Sequence, residues 1–279
     1  MPQDSELHKL VAFSDDPSGG NPAGVWIGEQ MPDAATMQQI AAEVGFSETA
    51  FVAPMHGLER QVRYYSPAAE VPFCGHATIA TGAVLGSAGE QTTYRLSTAV
   101  GDVPVTVSIS NGQERVSLTS IGTKQRAVSA AVLDDALRLL GWANSDLDAS
   151  IPPIIAFAGA WHLVLAVSRR ERLKSLDYDF EALKALMLRE ELTTLQLVWR
   201  EHEQLFHSRN PFPVGGVVED PATGAAAAAL GGYLRDAALV DAPTEFEIRQ
   251  GEAMGRQSLL TVTVPATGGI IVTGTAVAM

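Results

Sequence analysis

The sequence predicts an α+β protein of two similar halves, each a mixed β-sheet or barrel wrapped around a central buried helix. Segments 79–85 and 222–234 are rich in small apolar residues, and a helix that is apolar on every side must be enclosed by protein. Short segments typical of strands surround both of them. An offset of 145 residues places Ala77-Thr78 on Ala222-Thr223, which indicates an internal duplication.

In the first half, the helix that follows two strands has clear signals at both ends. Asp33 is a residue type that caps helix N-termini, apolar residues recur at helical spacing up to Val44, and Gly45 suits the position after the last turn. The small-residue helix 79–85 comes later, after a loop that carries residues 74–78. The predicted strands of this half are 7–13, 23–28, 47–52, 62–65, 94–96, 103–109 and 115–118.

The second half repeats this order of elements. Asp220 is predicted to cap its small-residue helix, with Pro221 at the first helical position, where a proline loses no hydrogen bond. The domain boundary is expected in the polar stretch 119–126. We therefore expect an N-terminal half of residues 1–120 plus a returning strand at 269–279, and a C-terminal half of residues 121–268. The other predicted elements are helices 130–140 and 179–188 and strands near 154, 161–167, 195–199 and 204–207.

The charge balance limits the possible partners. With 32 acidic and 19 basic residues the net charge is -13, and no Lys/Arg cluster interrupts it, so neither nucleic acid nor an anionic membrane is an expected partner. The first six residues lack the basic and apolar regions of an export signal. We therefore expect a cytoplasmic location.

The sequence offers little for a metal site. Its one cysteine, Cys74, excludes an internal disulfide and a cysteine-rich metal centre. His202 and His207 are five residues apart, where a zinc-binding helix needs four, so we interpret them as surface residues. No metal and no cofactor are expected.

Four residues are candidates for chemistry, each with a structural alternative. Glu48 starts a strand among apolar neighbours, surroundings that favour proton uptake and suit a general base, but it could equally be a solvated strand-edge residue. His76 could polarise a substrate oxygen or simply satisfy backbone groups. Cys74 could be a reactive thiol or a small buried apolar residue. Asp220 could combine catalysis with helix capping only if its oxygens face the predicted cleft between the halves.

Four motifs, taken in order, resemble the pattern of the PhzF (phenazine biosynthesis-like) family, and the resemblance spans nearly the whole chain. That family belongs to the diaminopimelate epimerase superfamily, whose fold is two similar halves of strands, each around a central helix. The motifs are Gly20-Asn21-Pro22-Ala23, Phe46-Ser47-Glu48-Thr49-Ala50-Phe51-Val52, Pro72-Phe73-Cys74-Gly75-His76-Ala77-Thr78 and Glu219-Asp220-Pro221-Ala222-Thr223-Gly224.

The resemblance implies roles for particular residues. Glu48 matches the acid/base of a family isomerase that acts on trans-2,3-dihydro-3-hydroxyanthranilate, and His76 and Asp220 match its supporting groups. A small carboxylate-bearing substrate is the implied partner, and a homodimer is expected because family members are often dimers. The implied substrate-binding residues are Asn21, Ser47, Cys74, Gly75, Ala77, Thr223, Gly224 and Ala225.

The chain departs from the family pattern at Ala225, where many relatives have serine, so a hydroxyl contact is lost while the backbone amide stays. Racemases and epimerases of the superfamily use two thiols, one on each face of the carbon that they invert. Because Cys74 is the only cysteine, two-thiol racemisation is not expected.

We therefore expect a cofactor-independent isomerase in which Glu48 moves a proton within a conjugated carboxylate. One alternative is an epimerase or racemase that uses Glu48 with Cys74. The other is a non-catalytic relative that only binds small molecules, although such a protein would gain nothing from a carboxylate beside an anionic ligand.

Overall fold

The computed structural model describes residues 5–110 and 112–279. Residues 1–4, part of the N-terminus in which no export signal is expected, lie outside the described residues. Two compact units make up the chain: one extends to Ile121 and includes Val272–Met279, and the other is Gly122–Ile271. Both contain strands and helices, so the predicted α+β class is confirmed.

Among its described residues, the first unit contains two helices and ten strands, eight of which precede residue 121 and two of which come from the end of the chain. Its helices are α1 (Ala34–Val44) and α2 (Gly75–Leu85). Its strands are β1 (Ser5–Ala12), β2 (Asn21–Gly28), β3 (Glu48–Pro54), β4 (Glu59–Tyr65), β5 (Glu70–Val71), β6 (Gln91–Thr98), β7 (Gly101–Ser110), β8 (Gln113–Thr119), β17 (Ile271–Gly274) and β18 (Ala276–Ala278).

The sheet of the first unit has the order β18-β1-β2-β3-β4-β6-β7-β8-β17. The pairs β2/β3 and β4/β6 are parallel, whereas β1/β2, β3/β4, β6/β7 and β7/β8 are antiparallel. Helix α2 packs against β1, β2, β3, β7 and β8, and its residues from Gly75 to Gly82 are all buried. The predicted enclosed helix is confirmed, because strands contact α2 on several sides.

The second unit contains four α-helices and eight strands. Its helices are α3 (Ala130–Leu140), α4 (Arg170–Lys174), α5 (Phe180–Arg189) and α6 (Gly224–Asp236), with 3-10 turns at Asn144–Asp146, Pro213–Gly215 and Glu252–Met254. Its strands are β9 (Lys124–Arg126), β10 (Ile154–Phe157), β11 (Trp161–Val167), β12 (Thr194–His202), β13 (Leu205–Phe212), β14 (Val217–Asp220), β15 (Thr244–Gln250) and β16 (Ser258–Val264).

The sheet of the second unit repeats the topology of the first. Its order is β9-β10-β11-β12-β13-β15-β16, with β11/β12 and β13/β15 parallel and the short strand β14 antiparallel to β13. Thus β11, β12, β13, β14, α6 and β15 follow the same pairing pattern as β2, β3, β4, β5, α2 and β6. Helix α6 packs against β9, β10, β11, β12 and β16. The predicted duplication is therefore present in the strand order.

The start of α6 differs from the prediction. The helix begins at Gly224 with Thr223 as its N-cap, so Asp220 is not the capping residue. Instead Asp220 ends β14, where it pairs with Asn210 of β13. Strand pairing thus holds Asp220 in extended backbone and delays the helix by three residues, and the capping prediction is wrong.

Apolar packing holds the helices that flank each sheet. In the second unit, Leu163, Leu165 and Leu197 pack with buried residues of α3 and α5, such as Leu137 and Leu183. None of the described helices is both long enough and apolar enough to cross a membrane.

Candidate active site

Three elements of the first unit bring the predicted catalytic residues together. Asn21 is the first residue of β2, Glu48 is the first residue of β3, and His76 lies in the first turn of α2. Because β2 and β3 are parallel, with Ala23 opposite Glu48, both strands start at the same edge of the sheet. The start of α2 lies at that edge, since His76 contacts residues of both strands.

Glu48 and His76 form a buried pair. The Glu48 Oε2 atom lies 3.3 Å from Nε2 of His76, and the two residues are only 8% and 4% exposed. Burial lowers the pKa of His76 below its ordinary value of 6.5, although the charge of Glu48 and a hydrogen bond to the Pro22 backbone act in the opposite direction. Glu48 is therefore not a solvated strand-edge residue, and His76 favours the neutral form at pH 7.

Further polar groups surround the imidazole of His76. Asn21 Nδ2 lies 3.0 Å from Nδ1, and Ser47 Oγ lies 3.3 Å from Nε2. Cys74 is the N-cap residue of α2, and its Sγ lies 3.3 Å from Nδ1 of the ring. All five of these residues were predicted as site residues, and the structure brings them together in one cluster.

The cluster also unites three types of metal-binding atom. One carboxylate oxygen of Glu48, Sγ of Cys74 and a ring nitrogen of His76 all lie within 4.8 Å of one another. Sequence reasoning considered metal ligands only at short regular spacings. It did not consider Glu48 together with Cys74 and His76, because Glu48 lies 26 residues before Cys74 and only the fold brings them together.

The predicted residues of the second unit form a separate hydrogen-bonded group. The Thr223 hydroxyl donates to Oδ2 of Asp220 at 2.5 Å, and the backbone N–H of Thr223 donates to Oε1 of Gln250 at 3.1 Å. Gln250 Nε2 donates to the Asp220 carbonyl at 2.7 Å. Gln250 thus holds both ends of the segment between β14 and α6. Sequence reasoning missed it because strand β15 was not predicted and no motif includes Gln250.

The remaining predicted residues lie in the first turns of the two central helices. Gly75 and Ala77 are buried in α2, Gly224 is buried as the first residue of α6, and Ala225 is half-buried beside it. The N-cap residues of these helices, both within the described part of the chain, are Cys74 in α2 and Thr223 in α6. Neither side chain makes a capping hydrogen bond to its own helix. Amides in the first turn of a helix favour anions, so both turns are suited to a carboxylate.

Two further buried side chains, those of Glu219 and His207, have partners within the second unit that support its fold. Glu219 is buried and paired with Arg209 at 2.5 Å, so it supports the β13/β14 hairpin. His207 is also buried, between Glu252 at 2.6 Å and Glu201 at 2.7 Å. The interpretation of His207 as a surface residue is therefore wrong. Its ring also packs beside that of Trp199 on the neighbouring strand, with ring centroids 5.3 Å apart.

Comparison with known proteins gives consistent matches over nearly the whole chain. The family model described as "Phenazine biosynthesis-like protein", PhzC-PhzF, matches residues 10–279. The trans-2,3-dihydro-3-hydroxyanthranilate isomerase of Pseudomonas chlororaphis is 30% identical over 260 residues, which cover 91% of this chain and 89% of that protein.

Solved structures share the fold. A PhzF-family phenazine biosynthesis protein of Bacillus anthracis aligns over 99% of this chain and 98% of its own, with a TM-score of 0.84 and 23% identity. A probable proline racemase of Agrobacterium radiobacter K84 aligns over 98% and 90%, with a TM-score of 0.69 and 14% identity. These likenesses confirm the predicted epimerase-like fold class.

Proposed function

Because the chain belongs to the phenazine biosynthesis-like family, PhzC-PhzF, we propose that it is an isomerase that moves a proton within a small conjugated carboxylate, without a cofactor. The observation that carries this proposal is the buried Glu48–His76 pair at the start of α2. The relative from Pseudomonas chlororaphis is named for a dihydro-hydroxyanthranilate substrate. A cyclic acid with a conjugated double bond is therefore the substrate class that we propose here.

Glu48 is the proposed proton carrier. Its carboxylate takes a proton from a C–H bond of the substrate, and the electron pair left behind spreads into the conjugated double bonds. The same oxygen then returns the proton to another carbon, so that one double bond has moved and no atom has been gained or lost. A single carboxylate is sufficient for this reaction, whereas inversion of a carbon needs a group on each face.

His76 is the proposed supporting group in the first unit. As a neutral imidazole it donates a hydrogen bond from Nε2, which holds Glu48 in place or polarises a substrate oxygen without adding a positive charge. Asn21 fixes the ring through Nδ1. This arrangement leaves the proton of Nε2 directed toward the carboxylate.

The first turns of α2 and α6 are the proposed binding sites for substrate oxygens. The amides of Gly75 and Ala77 in α2, and those of Gly224 and Ala225 in α6, belong to turns that favour negative charge. Asp220, held by Thr223, is proposed to accept a hydrogen bond from a polar substrate group. Because the side chain of Ala225 is a methyl group, it cannot hydrogen-bond to the substrate. We therefore propose a substrate with fewer polar groups in the part that lies next to Ala225.

Deuterium exchange tests the proposal. We expect the wild-type protein, incubated in D₂O with dihydro-aromatic carboxylic acids, to place deuterium at a carbon of at least one of them. Glu48→Gln removes the proton acceptor and should lower the exchange rate by roughly 10²- to 10⁴-fold, the usual contribution of a general acid–base group. Glu90→Gln, which changes an exposed glutamate of the same unit, is the matched control.

Two outcomes would contradict the proposal. Exchange at the wild-type rate in Glu48→Gln would remove Glu48 from the reaction. Tight binding of the acids with no exchange in the wild-type protein would favour the non-catalytic binding alternative instead.

A further inference from the structure

The side chain of Gln250 contacts both ends of the segment that leads from β14 into α6. We infer that Gln250 is a positioning residue of the candidate site: it keeps the Thr223 hydroxyl from capping α6, so that amides of the first turn are left to a carboxylate of the substrate. This role rests on the proposed function, which places substrate oxygens at that turn. Gln250 acts through Thr223 and not on the substrate itself.

The hydrogen bonds of Gln250 allow only one set of directions. Its amide nitrogen, Nε2, can only donate, and the Asp220 carbonyl 2.7 Å away can only accept. The Thr223 N–H in turn donates to Oε1 of Gln250 at 3.1 Å. Nε2 also donates to Oγ1 of Thr223 at 3.0 Å, and the hydroxyl sends its own proton to Oδ2 of Asp220 at 2.5 Å. Both the amide and the hydroxyl of Thr223 are therefore bound within this group.

The backbone of Thr223 differs from that of three capping residues in the chain. Asp33, Ser129 and Asp179 precede α1, α3 and α5 with φ between −71° and −68°, and each side chain accepts a hydrogen bond from its own helix. Thr223 precedes α6 with φ of −114° and ψ of 85°, and its side chain makes no such bond, although threonine is a residue type that normally caps helices. The contact with Gln250 accounts for this difference, because it holds the amide and the hydroxyl of Thr223 together.

Strand pairing on both sides fixes the position of Gln250. It is the last residue of β15, it pairs with Ser208 of β13 and with Ser258 of β16, and it is only 1% exposed. Gly251 follows with φ of 74°, and a Cβ atom there would lie 2.9 Å from the carbonyl oxygen of Pro221. Because residue 251 has no side chain, the end of β15 can approach the segment before α6 closely.

The consequence for binding concerns the amides that an N-cap side chain normally occupies. These are the second and third amides of the helix, here those of Ala225 and Ala226. With the Thr223 hydroxyl held by Gln250, the N-cap residue does not compete with a carboxylate for these donors. In α2 the same result has another cause, because its N-cap residue Cys74 carries a thiol, which is a weak acceptor.

Hydrogen exchange of backbone amides, followed by NMR on the whole chain, tests this role without a substrate. Gln250→Leu removes both contacts and releases the Thr223 hydroxyl to cap α6. Exchange at Thr223 should become roughly 10-fold faster, since one hydrogen bond is lost, and exchange at Ala225 or Ala226 should become roughly 5-fold slower, since a cap is gained. General destabilisation would instead accelerate all three. Gln204→Leu, at an exposed glutamine of the same unit, should leave these rates unchanged.

Thr223→Val isolates the hydroxyl and decides the question even if circular dichroism shows that Gln250→Leu does not fold. Because the hydroxyl does not cap α6 in the wild-type protein, its removal alone should leave exchange at Ala225 and Ala226 unchanged. In the double variant with Gln250→Leu, the slower exchange at these amides should disappear. The inference is overturned if Thr223→Val accelerates exchange at Ala225 or Ala226, or if folded Gln250→Leu slows neither.

Deuterium placement in the substrate separates this role from the proposed function. Gln250→Leu should raise KM roughly 5- to 10-fold for a dihydro-aromatic acid that the wild-type protein labels, with little change in kcat, because carboxylate binding is weakened and Glu48 is untouched. An unchanged KM would contradict the positioning role and keep the proposed function. A wild-type protein that labels none of the acids would contradict the proposed function, and the amide exchange rates alone then decide whether Gln250 keeps Thr223 from capping α6.

Discussion

At the scale of single residues, the two nitrogens of His76 have different partners. Nε2 faces the carboxylate of Glu48, which can only accept a hydrogen bond, so this nitrogen carries the proton. Nδ1 faces Nδ2 of Asn21, which donates. Because burial also lowers the pKa of His76, these two contacts favour a neutral imidazole with its proton on Nε2.

Replacement of Asn21 tests this assignment. Asn21→Asp places a second acceptor at Nδ1, so both ring nitrogens must carry protons and the pKa of His76 should rise relative to the wild-type protein. Ring ¹⁵N chemical shifts at pH 7 should show a neutral imidazole in the wild-type protein and an imidazolium in the variant. Asn21→Leu removes the partner without adding charge and should keep the ring neutral. Identical ring shifts in Asn21→Asp and the wild-type protein would refute the assigned roles.

The identity of the site residues could be predicted from sequence, but their contacts could not. Glu48, His76 and Cys74 were singled out by their apolar neighbours and by motif resemblance. The hydrogen bond from Asn21 to His76 spans 55 residues, and no local pattern encodes it. Gln250 was missed for the same reason, because its partners Asp220 and Thr223 lie 30 and 27 residues earlier in the chain.

At the scale of elements, small residues allow strands to approach the central helices closely. A Cβ atom added at Gly82 of α2 would lie 2.3 Å from Cγ1 of Val116 and 3.0 Å from Cγ1 of Val105. At Gly232 of α6, an added Cβ would lie 2.4 Å from Cγ2 of Thr123. Close packing therefore requires glycine at these two positions, although glycine disfavours helices by about 1 kcal/mol relative to alanine.

Gly82→Ala should therefore destabilise the protein despite its better helix propensity. Overpacking costs about 1–3 kcal/mol, and the close contacts with Val116 and Val105 favour the upper part of that range. After the gain of about 1 kcal/mol in helix propensity, a net loss of about 1–2 kcal/mol is expected. Urea unfolding measures this loss. Gly89→Ala, where an added Cβ meets no atom within 4 Å, should change the stability little. Equal stability of Gly82→Ala and the wild-type protein would show that the strands can move away from α2.

Most elements could be predicted because their ends carry local signals. Helix α1 begins after Asp33, whose side chain accepts from the Thr36 amide at 2.8 Å, and it ends at Gly45, which has a φ of 71°. The start of α6 was misplaced because Asp-Pro is also a common helix start, and the pairing of β14 with β13 outweighed that signal. Strands β15 and β16 were overlooked although Phe246, Ile248, Leu260 and Val262 alternate as buried residues.

At the scale of the whole molecule, buried histidines make stability depend on pH. Burial lowers the pKa of His162 to about 3, and its Nδ1 lies 2.8 Å from the Thr194 hydroxyl. Below pH 6.5 the unfolded chain binds a proton at this position and the folded chain does not. The stabilisation is thus complete above pH 6.5 and is lost progressively as the pH falls toward 3. Burial of His76 acts in the same direction.

Comparison with His162→Gln isolates this contribution. At about 1.4 kcal/mol per pH unit, the free energy of unfolding of the wild-type protein should fall by about 3 kcal/mol relative to the variant between pH 6.5 and pH 4. Urea unfolding at several pH values measures the difference, and His56→Gln, at an exposed histidine, is the control. Parallel pH dependence in the wild-type protein and His162→Gln would contradict the expected proton linkage.

The two repeats have the same topology and different chemistry. In the first unit Glu48 starts β3 opposite Ala23 of β2, and in the second unit Thr194 starts β12 opposite His162 of β11. The position of the proposed proton carrier thus holds a hydroxyl in the second repeat. Divergence after duplication has left a carboxylate, a thiol and an imidazole together in the first unit.

The returning strands have a consequence for synthesis on the ribosome. Strand β18 pairs with β1, β17 pairs with β8, and the Phe13 amide donates to the Thr275 carbonyl. Residues 272–279 are translated only after the entire second unit. The first unit, although translated earlier, therefore keeps two open strand edges until the second unit has left the exit tunnel, so the unit that is begun first is the last to be completed.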